Sequence, residues 1–438
     1  MVRLGHIKSH RNTQERVEPA KAKVRILGQR LRPKQAAAIG HYDRSKTARL
    51  VGRGTMATLR VPVKPAMLQW AMDRACKDPA DLEHRFGKLA EWMAGDAQPT
   101  LKQLEGFAKA THAPLGYFFL NKPPQEPVPI PDFRTIAGKG VGRPSPELLD
   151  TIHDCQRRQE WYQRYARSSG LEPVAFAGTA KLTDDPETIS GRMRKLLGFS
   201  VAERASFPTY ENALKQFRQQ AEDAGVLVMA SGIVGSNTHR PLDPDEFRGF
   251  ALADDLAPLV FVNGKDTKSA QMFTLAHELA HLWLGESALS DAVPRAVPTQ
   301  RVEAWCNAAA AELLVPMDDL RMARDPSASV QKEIKHLKKR YKVSSLVVLR
   351  RLLDGGFISR KSFETAYDAE LARLAQEGTS SGGDFYRTTL SRVGERFARA
   401  VAVSTLEGRS TFTEAFGLLG FNNIKTFRDL SAQVGVEF

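Results

Sequence analysis

The stretch Phe273–Glu286, FTLAHELAHLWLGE, sets two histidines and an acid inside an otherwise apolar run. A helix turns by about 100° per residue, so His277 and His281 project from one face, one turn apart, where two imidazoles can share an ion. Glu278 follows the first histidine. It can reach a metal-bound water but is badly aimed for the ion itself, which is the placement of a general base beside zinc. Phe273, Leu275, Ala276, Leu279, Ala280, Leu282, Trp283 and Leu284 keep the rest of the helix in a core, where an unpaired Glu or His is strongly disfavoured. A metal removes that objection. The bland alternative, two hydrogen-bonded core histidines, must explain why the acid lies between them as well.

A catalytic zinc usually takes three protein ligands and leaves one position for water. The third is sought downstream in Gln300–Pro316, QRVEAWCNAAAAELLVP, an alanine-rich stretch of high helix propensity that stops at a proline. Glu303 and Asn307 share a helical face, whereas Glu312 lies about half a turn round from Glu303 and belongs to another face. Glu303 is the better candidate, because Asn307 beside it can accept a hydrogen bond from the outer nitrogen of a ligating histidine.

These stretches resemble the ImmA/IrrE-type zinc metallopeptidases. The resemblance rests on FTLAHELAHL, on EAWCNAAAAELLVP and on the preceding DEFRGFALADDLAPLVFVNGKD, Asp245–Asp266. It covers roughly Arg60 to Leu353. It implies a gluzincin-like site in which His277, His281 and Glu303 ligate zinc and Glu278 activates water. It also implies a substrate, since such proteins cleave a helix-turn-helix repressor that is often encoded nearby.

A chain of 438 residues exceeds what one hydrophobic core usually organises, so two or three domains are expected. No apolar run approaches a membrane span and no signal peptide opens the chain, which points to the cytoplasm and to no membrane partner. Cys76, Cys155 and Cys306 lack metal-ligand spacing and read as reduced thiols, with Cys306 packed in a core. The net charge of +13 is unevenly spread: residues 1–55 carry 14 Lys and Arg against 3 Asp and Glu, so the remainder carries only +2. MATLRVPVKPAMLQWA, from Met56, reads like the usual beginning of the resembled family. Residues 1–55 are therefore either a misassigned start or a disordered basic arm that touches nucleic acid.

Residues 56–122 carry short helical patterns punctuated by Gly and Pro, and look like a Cro/repressor-type helix-turn-helix domain with Trp92, Leu104 and Phe107 in its core. A DNA reader needs Arg, Lys, Asn or Gln on the helix that enters the groove. Here Lys88 and Gln98 stand among Glu91 and Asp96, so a bundle kept for protein contacts is the better reading. Residues 123–145 are a Pro/Gly-rich connector, within which PIPDFRT again resembles larger members of the family. Residues 146–355 form the metallopeptidase domain: a long helix over Pro146–Ser168, further helices, then strands at Val226–Ala230, Phe247–Leu252 and Leu259–Val262 that lead to the histidine helix. A sheet edge there can hold an extended peptide. His239 and Arg248 are weak candidates for stabilising an oxyanion, and a structural salt bridge is the better use of Arg248. The cluster Lys332, Lys335, Lys338, Lys339 and Arg340 reads as a solvated face. Residues 356–438, with a flexible break at Gly378–Gly383, close the chain as a helical module, whose tail resembles relatives encoded beside a PIN-type ribonuclease toxin and so suggests a docking part.

The expected architecture is α+β and mainly helical: a helix-turn-helix bundle, a zincin-like domain with a short sheet, and a helical C-terminal module. The expected function is that of a zinc endopeptidase acting on a repressor-type protein. The alternative is a binding protein, either the antitoxin of a neighbouring toxin or a regulator on operator DNA.

Overall fold

The computed structural model describes residues 60–134, 143–290, 300–376 and 385–437. The basic arm and the Gly378–Gly383 break lie outside these residues. Among those described, the chain opens with α1 (Pro65–Arg74), α2 (Pro79–Glu83), α3 (Leu89–Ala94) and α4 (Leu101–Ala110), followed by a single-turn helix at Leu115–Phe119. Proline starts α1 and α2, and Thr100 caps α4 reciprocally with Gln103. Trp92, Leu104 and Phe107 lie in the core of this small bundle. Gln98 is engaged within it, its side chain accepting a 2.8 Å bond from the Val63 amide, and Lys88 stands 3.2 Å from Glu91.

Helix α5 (Pro146–Ser168) starts at its N-cap Ser145, whose hydroxyl accepts from the Leu148 amide. Then come α6 (Pro186–Leu197), α7 (Val201–Ser206), α8 (Tyr210–Asp223), β1 (Leu227–Ser231), β2 (Gly249–Leu252), β3 (Leu259–Asn263), α9 (Lys268–Leu284), β4 (Ala288–Ser290), α10 (Arg301–Leu314), α11 (Met317–Ala323), α12 (Val330–Tyr341) and α13 (Ser345–Asp354). Helices α14 (Arg360–Gln376), α15 (Phe385–Val393), α16 (Glu395–Leu406), α17 (Phe412–Leu419) and α18 (Ile424–Gln433) end the chain. The expected strands appear with ends displaced by one or two residues; β4 and the short helices α7 and α11 are additional to the expected elements. Within the basic cluster, Arg340 pairs with Asp319 at 2.8 Å.

The sheet has the order β1-β3-β2-β4, with β1 parallel to β3 and the other pairs antiparallel. Every strand residue is buried, so both faces are covered. Successive side chains point to opposite faces: Val228, Ala230, Ala251, Val260 and Val262 join a core with α6, α8, α9 and α10. Leu227, Met229, Phe250, Leu252, Leu259, Phe261 and Leu289 join a second core with α5 and with Phe397, Val401, Leu418, Phe427 and Leu430 of the C-terminal helices. The C-terminal residues therefore complete the cover of the sheet instead of packing only on themselves. Tyr162 and Trp161 of α5 are the aromatic contacts there, with Trp161 edge-on to Phe397 at 5.5 Å.

The Pro-rich segment is more than a connector. Asp132 forms a parallel bridge with Leu289, and the Leu289 backbone exchanges hydrogen bonds with Pro131 O (2.9 Å) and the Phe133 amide (3.0 Å). A proline-rich chain is already extended, which is the form a sheet edge accepts.

Phe397→Ala is expected to cost about 3–5 kcal/mol. Urea unfolding should show that loss in a single transition shared with the sheet and α9; a separate early transition of the C-terminal helices, leaving the main one unchanged, would contradict the shared core.

Candidate metal centre

Helix α9 begins at Thr267, whose hydroxyl accepts from the Ala270 amide, and ends at Gly285 in the left-handed conformation. Its last carbonyls are met by the preceding chain: the Gly178 amide donates to Leu282 O and the Ala180 amide to Trp283 O. A Cβ on Gly285 would lie 2.9 Å from the Gly178 Cα, so this crossing needs glycine for space as well as for its φ of +73°. From Gln271 to Trp283 every residue is buried. A helix buried all round is a core helix, and its polar groups must find partners inside the protein.

His277 Nε2 and His281 Nε2 lie 3.1 Å apart. Glu303, from α10, brings one oxygen to 3.3 Å from His277 Nε2 and the other to 3.1 Å from His281 Nε2. Small residues allow α10 this close: Ala276 and Ala280 on α9, and Cys306, Ala309 and Ala310 on α10, are all fully buried. Four ligands at tetrahedral corners about 2.0–2.1 Å from zinc are separated by roughly 3.3 Å, so the three side chains have the spacing of three such corners. Among the described residues, this is the group of His, Cys, Asp and Glu side chains that could hold a metal ion.

Glu278 is fully buried beside them. A Cβ at Gly249 of β2 would lie 2.6 Å from Thr274 Cγ2, 2.8 Å from Phe261 O and 3.1 Å from Glu278 Oε1. Glycine at this strand position lets the sheet and α9 close on the carboxylate. Ser290, at the end of β4, faces Glu278 too and draws its pKa down, although no bond of ordinary geometry joins the two. Asn307 stands in the same relation to His277, raising the affinity of the imidazole for a proton. Phe133 stacks in parallel, offset fashion on His281, with centroids 6.2 Å apart and planes 17° from parallel.

Burial pushes the Glu278 carboxyl up to about 8, with the charge of Glu303 adding to the effect. Burial would also raise Glu303, but His277 and then His281 hold it down to about 2. Burial lowers His281, whereas for His277 the adjacent Glu303 outweighs burial and the net shift is upward. The centre is thus built around a charged Glu303. Of the fourteen buried side-chain N and O atoms without a hydrogen-bond partner among the described residues, seven lie here: His277 Nδ1, both Glu278 oxygens, His281 Nδ1, Ser290 Oγ, Glu303 Oε1 and Asn307 Oδ1. Each orphaned buried polar atom costs about 1–3 kcal/mol. Of these, Glu303 Oε1 and the two Glu278 oxygens suit a cation and its solvent, whereas the Nδ1 atoms are the outer nitrogens of the two imidazoles.

The remaining candidates lie elsewhere. Glu312 is buried on the other face of α10, where Arg351 pairs with it and the Met317 amide bonds to it. Arg248 forms an ion pair with Asp266 at 2.5 Å, and His239 sits in an exposed turn. Cys306 is packed behind Glu303, where burial pushes its thiol up. Sequence reasoning missed Gly249, Ser290 and Phe133. Only Gly249 carried a local signal, as a glycine at the start of an apolar strand.

Residues 221–353 match a peptidase family model, Peptidase M78, described as the IrrE N-terminal-like domain. The match spans all four strands and the two helices that carry His277, Glu278, His281 and Glu303. Residues 393–433 match a domain of unknown function, DUF8813. Comparison with curated proteins yields no match.

Gly249→Ala is expected to destabilise the protein by about 1–3 kcal/mol, the usual cost of overpacking. Gly191→Ala on α6, where an added Cβ meets nothing within 4 Å, should instead stabilise by about 0.4–1 kcal/mol. Chemical denaturation of the two variants checks this; equal effects would show that β2 does not press on Glu278.

Proposed function

We propose that the chain is a zinc-dependent endopeptidase that cuts a regulatory protein of the repressor type. The observation that carries this reading is the triangle of His277, His281 and Glu303 at 3.1–3.3 Å, with the unpartnered Glu278 carboxylate beside it. The similarity of residues 221–353 to a peptidase domain supports it. The three side chains would hold the ion through Nε2 of each imidazole and the Glu303 carboxylate. Bound there, zinc supplies Lewis acidity that polarises a peptide carbonyl and acidifies water.

The chain itself supplies the proton handling. Glu278 takes a proton from water and returns it to the leaving amine, a role that favours a carboxyl titrating near neutrality. Its value of about 8 follows chiefly from burial, and a divalent cation alongside would draw it down. Asn307 would steady the outer nitrogen of His277, as groups behind metal-bound histidines do. The repressor as substrate comes from the family resemblance of the zinc-helix stretches. No helix among the described residues is long and apolar enough to cross a membrane.

The test uses zinc-loaded full-length protein and the repressor encoded by a neighbouring gene. Wild type should shorten the repressor, while Glu278→Gln keeps one zinc per chain and cuts at least about 100-fold more slowly. Equal cutting by the two proteins would overturn the assignment of Glu278. A neighbouring protein neutralised equally by both, without cleavage, would favour action by binding.

A further inference from the structure

The metal centre is closed. His277, Glu278 and His281 are fully buried and Glu303 is 5% exposed, yet an enzyme that cuts proteins must admit a peptide to these groups. The route an extended chain would take is the outer edge of β4. Leu289 turns its amide and carbonyl outward there, and the next residue, Ser290, faces Glu278. A strand added at this edge runs past the centre with alternate side chains directed at it. The opposite edge of the sheet is covered, because α15 packs on β1 and the Ser391 hydroxyl donates to Ala230 O.

The β4 edge is already in use. Pro131 and Phe133 take both outward groups of Leu289, and the Phe133 ring lies against His281. The segment is fastened beyond the edge by Arg134, which is 2% exposed. Arg134 donates to both oxygens of Asp132 at 2.9 and 2.7 Å and reaches Glu246 at 3.5 Å. Glu246 also accepts from the amide and hydroxyl of Ser145, the N-cap of α5. Pro131–Arg134 therefore holds to β4 by two main-chain bonds, with one ring on α9; Val128 and Ile130 just before it pack on the second core, and the ionic clasp fastens its far end.

We propose that Pro131–Arg134 is an internal stand-in at the strand-addition site of the metal centre, displaced when an extended protein segment enters. The inference rests on the metallopeptidase reading and adds to it a substrate feature and a control. The entering segment pairs with Leu289 and offers an aromatic or large apolar side chain where Phe133 now lies. Breaking the Arg134 clasp shifts the chain toward the open form, since a substrate that binds only that form gains apparent affinity as its population rises.

The test compares wild type with Arg134→Ala and Phe133→Ala, each loaded with zinc and checked for native thermal unfolding. Zinc should leave both variants for the chelator 4-(2-pyridylazo)resorcinol more than threefold faster than it leaves wild type, and cleavage of casein, an unstructured probe, should rise in the Arg134→Ala protein. Arg134→Lys, which keeps the charge but not the fork, should fall between. In the unaltered protein, hydrogen exchange at the Leu289 amide should be more than 100-fold faster than at Val260 in the middle of the sheet. One zinc per chain with extraction less than threefold faster in both variants, or Leu289 protected as strongly as Val260, overturns the inference and leaves the metallopeptidase reading standing. A wild type that takes up no zinc overturns that reading, and the inference with it.

Discussion

The structure turns on one carboxylate, that of Glu303, held between two imidazoles in a place water does not reach. A charge buried alone would cost far more than a small domain can offset. The surrounding features make this burial tolerable. Alanines on α9 and α10 let the helices meet closely enough for Glu303 to reach both rings, and Gly249 lets β2 close the far side. The imidazoles hold the Glu303 carboxyl down to about 2, so the acid stays charged while Glu278, one residue from His277, is pushed up to about 8. Two acids in one pocket are thereby pushed in opposite directions, Glu303 toward the anion and Glu278 toward the protonated form, which is the division of labour the proposed mechanism needs.

The sheet beneath that pocket is covered on both faces. The first core places α9 and α10. The second, formed by α5 and the C-terminal helices, is remote from the chemistry, yet it packs Phe250 and Leu289 from below and so sets the positions of β2 and β4. Residues 393–433 thus contribute to the site through the strands they support.

How much of this was legible in the sequence follows from how local each feature is. His277, Glu278 and His281 fall within five residues of one helix, so their spacing alone states their geometry. Glu303 was legible one step further, because an alanine-rich helix with an acid and an amide four residues apart has few other uses in a core. Helix α5 could be read because Pro146 opens it and an apolar, aromatic stripe from Leu148 to Tyr165 runs along it. What escaped was non-local. Strand β4 is three residues long and owes its existence to pairing with Gly249–Ala251 of β2, so no period marks it. Ser290 matters only because that pairing brings it to Glu278. In sequence Pro131–Arg134 reads as part of a connector, since prolines make a chain extended, and extension looks the same whether or not a sheet edge lies beside it. The outer cover of the sheet was hidden for a similar reason: strands buried on both faces show where they are but not what packs on them.

The account stands or falls on the ion. Anomalous diffraction from crystals of the full-length protein, collected on either side of the zinc absorption edge, places a bound zinc without assuming a mechanism. The account predicts one strong peak about 2 Å from His277 Nε2, His281 Nε2 and a Glu303 oxygen, with Glu278 near it but outside bonding distance. No peak there in protein grown with zinc, or a peak held by other side chains, would contradict it.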